Sequence, residues 1–99
     1  MLYLIATLDA QPEHRETLAE AVKKCVAETV KEKGCLSYDC HTSISQPNRF
    51  VFLERWESQE DLDNHGKSAH VLAWRTLSRP LWTGPSAVEI ITPANVFKR

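Results

Sequence analysis

This chain has no long hydrophobic run and no dominant charge of one sign, and it contains little cysteine. Its longest apolar stretches are far too short to cross a bilayer, and Met1 leads into a strand-like run without the cationic region and small-residue cleavage site of a signal peptide. A cytoplasmic protein with no membrane partner is the expectation. Lys plus Arg (12) nearly balances Asp plus Glu (13). The basic residues are scattered rather than gathered in a stripe, so the electrostatic footprint of a nucleic-acid binder is missing. The three cysteines, Cys25, Cys35 and Cys40, are odd in number and lack C-x-x-C spacing, which suits free thiols in a reducing compartment better than a disulfide framework. Cys35 and Cys40 stand five apart on one proposed strand, which places them on opposite faces. The histidines His14, His41, His65 and His70 do not flank the cysteines at finger-like spacing, so no metal is expected. Nucleotide- and phosphate-binding motifs are also missing.

What remains is a chain of 99 residues, 42% apolar and 25% charged, which is the size and make-up of one soluble globular domain spanning residues 1–99. Met1 to Leu8 is apolar at nearly every position and reads as a strand covered on both faces. Pro12 suits the first turn of a helix over Glu13 to Lys33, where Leu18, Ala21, Val22, Cys25, Val26, Thr29 and Val30 recur at three- and four-residue steps. Lys31 and Lys33 then fall in its last turn, and Gly34 supplies the left-handed stop. Cys35 to Ser45 forms the second strand, with Leu36, Tyr38, Cys40, Thr42 and Ile44 on one face and Ser37, Asp39, His41 and Ser43 on the other. Gln46 to Arg49 turns the chain into an antiparallel third strand, Phe50 to Glu57, whose first four residues are all apolar.

Ser58, with Asp61 three residues on, starts a short helix that Gly66 ends. Ser68 caps a further helix carrying Val71, Leu72, Trp74, Arg75 and Leu77, which stops before Pro80. Ala87 to Thr92 is the fourth strand. The order predicts an α+β fold, the ferredoxin-like split βαβ, with helices on one face of a four-stranded antiparallel sheet. The other face is left bare although strands one, three and four are apolar on both sides, so a homodimer packed through its sheets follows.

The run Gly34-Cys35-Leu36-Ser37-Tyr38, then Pro47-Asn48-Arg49-Phe50, then Glu54-Arg55-Trp56-Glu57-Ser58, with Leu62, His65 and His70 beyond, resembles the antibiotic biosynthesis monooxygenase family, including its quinol-monooxygenase-like members. The resemblance implies a dimeric α+β barrel with a pocket between sheet and helices in each subunit. It also implies oxidation of a quinol or phenolic polyketide by O₂ without metal, haem or flavin, so no cofactor is expected and the partners are a small aromatic substrate and O₂. A deprotonated dihydroxyarene can itself reduce O₂, so the protein needs only a dry pocket, a proton acceptor and donors for developing charge. On this reading His65 is the proton acceptor, and Trp56 is a pocket wall and indole N–H donor. Tyr38, Phe52, His70 and Leu72 are candidate substrate-binding residues. Haem-degrading members use an Asn on the first strand, and residues 1 to 8 contain none. The alternative is a non-catalytic dimeric module that binds a small hydrophobic ligand, because the same apolar cavity serves both.

Overall fold

A computed structural model describes residues 1–99. The chain runs through β1 (Leu2–Asp9), a 3₁₀ turn (Pro12–His14), α1 (Arg15–Thr29), β2 (Cys35–Thr42), β3 (Arg49–Trp56), α2 (Gln59–Gly66), α3 (Ala69–Ser78), a second 3₁₀ turn (Arg79–Leu81) and β4 (Ala87–Ile91). One sheet, ordered β2-β3-β1-β4 with every neighbouring pair antiparallel, gives the expected split βαβ. No helix is long and apolar enough to cross a membrane.

Period-two alternation decides which side chains meet the helices. From β1 these are Leu2, Leu4, Ala6 and Leu8, and from β3 they are Phe50, Phe52, Glu54 and Trp56. Against them α1 sets Leu18, Val22, Cys25 and Thr29, all buried and spaced as one helical face. The opposite face of the sheet carries Tyr3, Ile5, Val51 and Leu53, and nothing within the chain covers it; Leu53 is 43% exposed.

Three local expectations need correction, and each bears on the site. First, α1 ends at Thr29 rather than at Lys33. The Glu32 N–H donates to the Thr29 carbonyl (2.9 Å) and the Cys35 N–H to the Glu32 carbonyl (3.2 Å), so the chain leaves the helix in tight turns that carry Lys31 and Lys33 beyond it. Gly34 does hold a left-handed φ of +81°. It also lies so close to α2 that an added Cβ would collide with the Asp61 carboxyl. Second, β2 contains a bulge. Cys35 pairs with Trp56 and Ser37 with Arg55, so Leu36 is an extra residue and is exposed. The insertion places Cys35 on the helix-facing side together with Tyr38 and Cys40, not opposite Cys40. All three cysteines are unbridged. Third, Ser68 precedes α3 without capping it. Its Oγ instead donates to the His65 carbonyl (2.7 Å), tying the end of α2 to the start of α3. Ser58 caps α2 as expected, accepting from the Asp61 N–H (3.1 Å) and donating to Asp61 Oδ2 (2.9 Å).

Candidate functional site

Between the sheet and helices α2 and α3 lies a cavity of about 720 Å³. Leu4, Leu8, Phe52, Leu62, Val71 and Trp74 make its wall apolar, while Tyr38, Glu54 and His65 supply the polar groups of its interior. Lys67, Arg75 and Arg79 also line it, and all three are exposed. Volume and lining are those of a small-molecule site.

His65 sits on the buried side of α2, 6% exposed, and lines the cavity. Its Nδ1 lies 2.6 Å from Oε2 of Glu32, a residue that the early end of α1 delivers to this point. A carboxylate oxygen only accepts, so Nδ1 carries the hydrogen in this contact and the neutral ring keeps its lone pair on Nε2. Burial, the larger influence, depresses the His65 pKa, and the Glu32 hydrogen bond and charge pull it the other way. The net effect keeps the imidazole neutral near pH 7, so the short contact is a hydrogen bond to a neutral ring rather than an ion pair.

Trp56 is fully buried directly behind His65, with ring centroids 4.7 Å apart. It supports the wall without reaching the cavity surface, and its Nε1 donates to Glu54 Oε1 (2.9 Å). That indole N–H is therefore turned to Glu54 and not to the cavity, where the expectation put it. Tyr38 and Phe52 do line the cavity, their rings 5.9 Å apart, and Tyr38 lies 5.4 Å from the His65 ring. Burial pushes the Tyr38 phenol well above its ordinary pKa, so it stays protonated.

His70 is not on the cavity wall. Its Nε2 lies 3.1 Å from both Glu32 Oε2 and Thr29 Oγ1, so it stands behind Glu32 and steadies it. Leu72 is 51% exposed and does not reach the cavity. The reason is helical phase: Val71 and Trp74, three residues apart, take the inner face of α3, and Leu72 is rotated away from it.

Two acidic residues of the site were not anticipated. Glu32 falls inside the helix expected over Glu13 to Lys33, and no sequence signal marks its approach to His65. Glu54 did have a signal: it shares the strand face of Phe52 and Trp56 by simple alternation, so a carboxyl was due among buried aromatics. Glu54 is 4% exposed, and burial raises its pKa to about 7 against the opposing pull of the Trp56 N–H, with the Glu32 charge adding to the rise. Glu32, His65 and His70 also bring three ligand-type atoms within 4.8 Å of one another, a donor set that suits a divalent transition metal.

The sequence profile of the antibiotic biosynthesis monooxygenase family matches residues 1–77. The chain belongs to that family. Among relatives of this antibiotic biosynthesis monooxygenase domain, Rv0793 of Mycobacterium tuberculosis is 33% identical over 91% of this chain and 88% of its own length. Its solved structure superposes with a TM-score of 0.92, covering 98% of each chain at 31% identity. The "Probable quinol monooxygenase YgiN" of Escherichia coli is 32% identical over 75% of this chain and 81% of its own. The structure of the "Putative antibiotic biosynthesis monooxygenase from Nitrosomonas europaea" shares the fold, with a TM-score of 0.91 at 24% identity over 96% of this chain and 100% of that one.

Proposed function

We propose that this protein is a cofactor-independent monooxygenase that oxidises an electron-rich dihydroxyarene, a quinol or related phenolic, with O₂. Membership of a monooxygenase family and the quinol named for the Escherichia coli relative support the substrate class. The observation that carries the reading is the His65–Glu32 pair: an imidazole on the wall of a largely apolar cavity, its Nδ1–H held by a carboxylate 2.6 Å away and its Nε2 free to take a proton. The chemistry needs little more. Once a hydroxyl has passed its proton to Nε2, the arene is a strong enough donor to reduce O₂ itself. Tyr38, protonated and beside His65, adds its ring to the wall, while its hydroxyl is turned to Cys25 Sγ 3.7 Å away. The test is O₂ uptake by metal-stripped protein across a panel of quinols and phenols, read against the protein-free rate. Uptake and oxygenated product support the reading; binding without uptake at any member of the panel replaces it with the ligand-carrier alternative.

We further propose that the working unit is a homodimer joined through the bare sheet face, in a reducing cytoplasm that keeps the thiols free. Tyr3, Ile5, Val51 and Leu53 put a contiguous apolar patch where the chain has nothing to cover it. A Leu53→Lys substitution buries an unpaired charge at the centre of that face and is expected to weaken association by several kcal/mol. In sedimentation the native protein should run as a dimer at micromolar concentration and the variant as a folded monomer. A native protein that is a stable monomer under those conditions contradicts the assignment.

A further inference from the structure

We propose that Glu54 is the acid of the reaction, protonating the oxygen that leaves when a peroxide O–O bond breaks, so that the second atom of O₂ departs as water. This inference rests on the oxygenase reading above. Its basis is placement. Glu54 projects from the middle of β3, between Leu4 of β1 and Tyr38 of β2, into the cavity that His65 lines. It is 4% exposed, and none of the ion pairs in the chain includes it. One hydrogen bond, from Trp56 Nε1 to Oε1, holds it, and Oε2 has no partner in the chain. Burying a carboxyl with one donor and no cation is costly, and an apolar residue at this position would serve packing better. The arrangement makes sense where a carboxyl is wanted neutral, as a proton donor.

The groups facing Glu54 leave that role to it. From β2 come the Tyr38 phenol and the Cys35 thiol and from α1 the Cys25 thiol, all held protonated by burial; from the turn after α1 comes Glu32, whose negative charge favours the neutral form of Glu54; from α2 comes His65 across the Trp56 ring. His65 and Glu54 thus form a base and acid on one cavity, with Trp56 touching both.

His65 takes a hydroxyl proton, and the phenolate reduces O₂ and bonds to it at a ring carbon that bears hydrogen. The His65 imidazolium protonates the resulting peroxide anion, giving a hydroperoxide and restoring the base. His65 then removes the hydrogen from the same carbon as a C=O bond forms there and the O–O bond breaks. The departing hydroxide takes the Glu54 proton and leaves as water, and the cycle closes when His65 gives up the proton it took from carbon and Glu54 regains one. The arene loses four electrons and O₂ gains four: dihydroxyarene plus O₂ gives hydroxyquinone plus water. Without the acid, the hydroperoxide is shed instead, and the products are unsubstituted quinone and H₂O₂, a two-electron outcome.

The experiment measures H₂O₂ and hydroxyquinone formed per O₂ consumed, with 1,4-dihydroxynaphthalene as substrate and the protein-free rate subtracted. For Glu54→Gln, which still accepts from the Trp56 N–H, uptake should persist while the H₂O₂ share rises about tenfold or more, a modest part of the usual weight of a positioned acid. Retained uptake reports an intact cavity. The native enzyme supplies an independent reading: its H₂O₂ share should climb as pH rises through about 7, where Glu54 ionises, and that of Glu54→Gln should stay high and flat. Native-like coupling in Glu54→Gln, or a native H₂O₂ share unchanged with pH, overturns the assignment of Glu54 alone. No uptake by the native enzyme with any dihydroxyarene overturns the oxygenase reading and this inference with it.

Discussion

Replacing His65 by alanine is expected to lower turnover by about 10²–10⁴-fold, the usual weight of a positioned general base. Steady-state O₂ uptake is the measurement, with circular dichroism and sedimentation to establish that the fold and assembly survive. The size of the effect follows from the geometry. Tyr38 is held protonated and Glu54 is neutral below about pH 7, so neither readily replaces the imidazole as acceptor. Glu32 touches His65 rather than the cavity, and after the substitution it retains His70 as a partner, so the fold should suffer little. Glu32→Gln keeps an acceptor for the Nδ1–H but loses the negative charge that favours imidazolium, and should therefore cost less than His65→Ala. Turnover that survives His65→Ala nearly unchanged removes this residue from the chemistry.

The second large effect concerns stability. Trp56→Ala is expected to cost about 3–5 kcal/mol, the range for deleting a large buried aromatic. Trp56 has no exposed surface, packs against the rings of Tyr38 and His65, and gives Glu54 its one hydrogen bond. The substitution therefore opens a cavity and leaves a buried carboxyl without a donor. Trp56→Phe keeps most of the wall and removes only the N–H, so its cost should be clearly smaller. Urea denaturation at fixed protein concentration distinguishes the two. A Trp56→Ala midpoint close to that of the native protein would mean that this side chain is not the pillar of the site described above.

How much of this was legible beforehand varies with the physics of each element. The strands and the order of elements could be read because β1 and β3 are two-sided apolar runs and because Gly34, Ser58 and Pro12 are local signals whose geometry does not depend on distant contacts. The bulge at Leu36 could not, because one inserted residue leaves the composition of the strand unchanged while reversing the face of everything before it; Cys35 was misplaced for that reason alone. Leu72 and Val71 are adjacent and equally apolar, and only the phase of α3 against the sheet, a tertiary fact, turns one inward and the other out. Trp56 is legible as an aromatic at the right spacing, but the partner of its N–H is not, because the acceptor, Glu54, lies two residues back on the same strand face and only the packed sheet brings the two side chains together. Glu32 is the clearest case: it is 33 residues from His65 in sequence, and its role exists only because α1 stops at Thr29.

The most direct test of the central claim is turnover of 1,4-dihydroxynaphthalene under isotopically labelled O₂ by metal-stripped protein, with mass analysis of the product. The account predicts uptake above the protein-free rate, one labelled oxygen atom in each hydroxyquinone and the other in water, and loss of that product in His65→Ala. Tight binding of the arene with no label incorporated and no O₂ consumed would contradict it, and would make the cavity a carrier site rather than an active one.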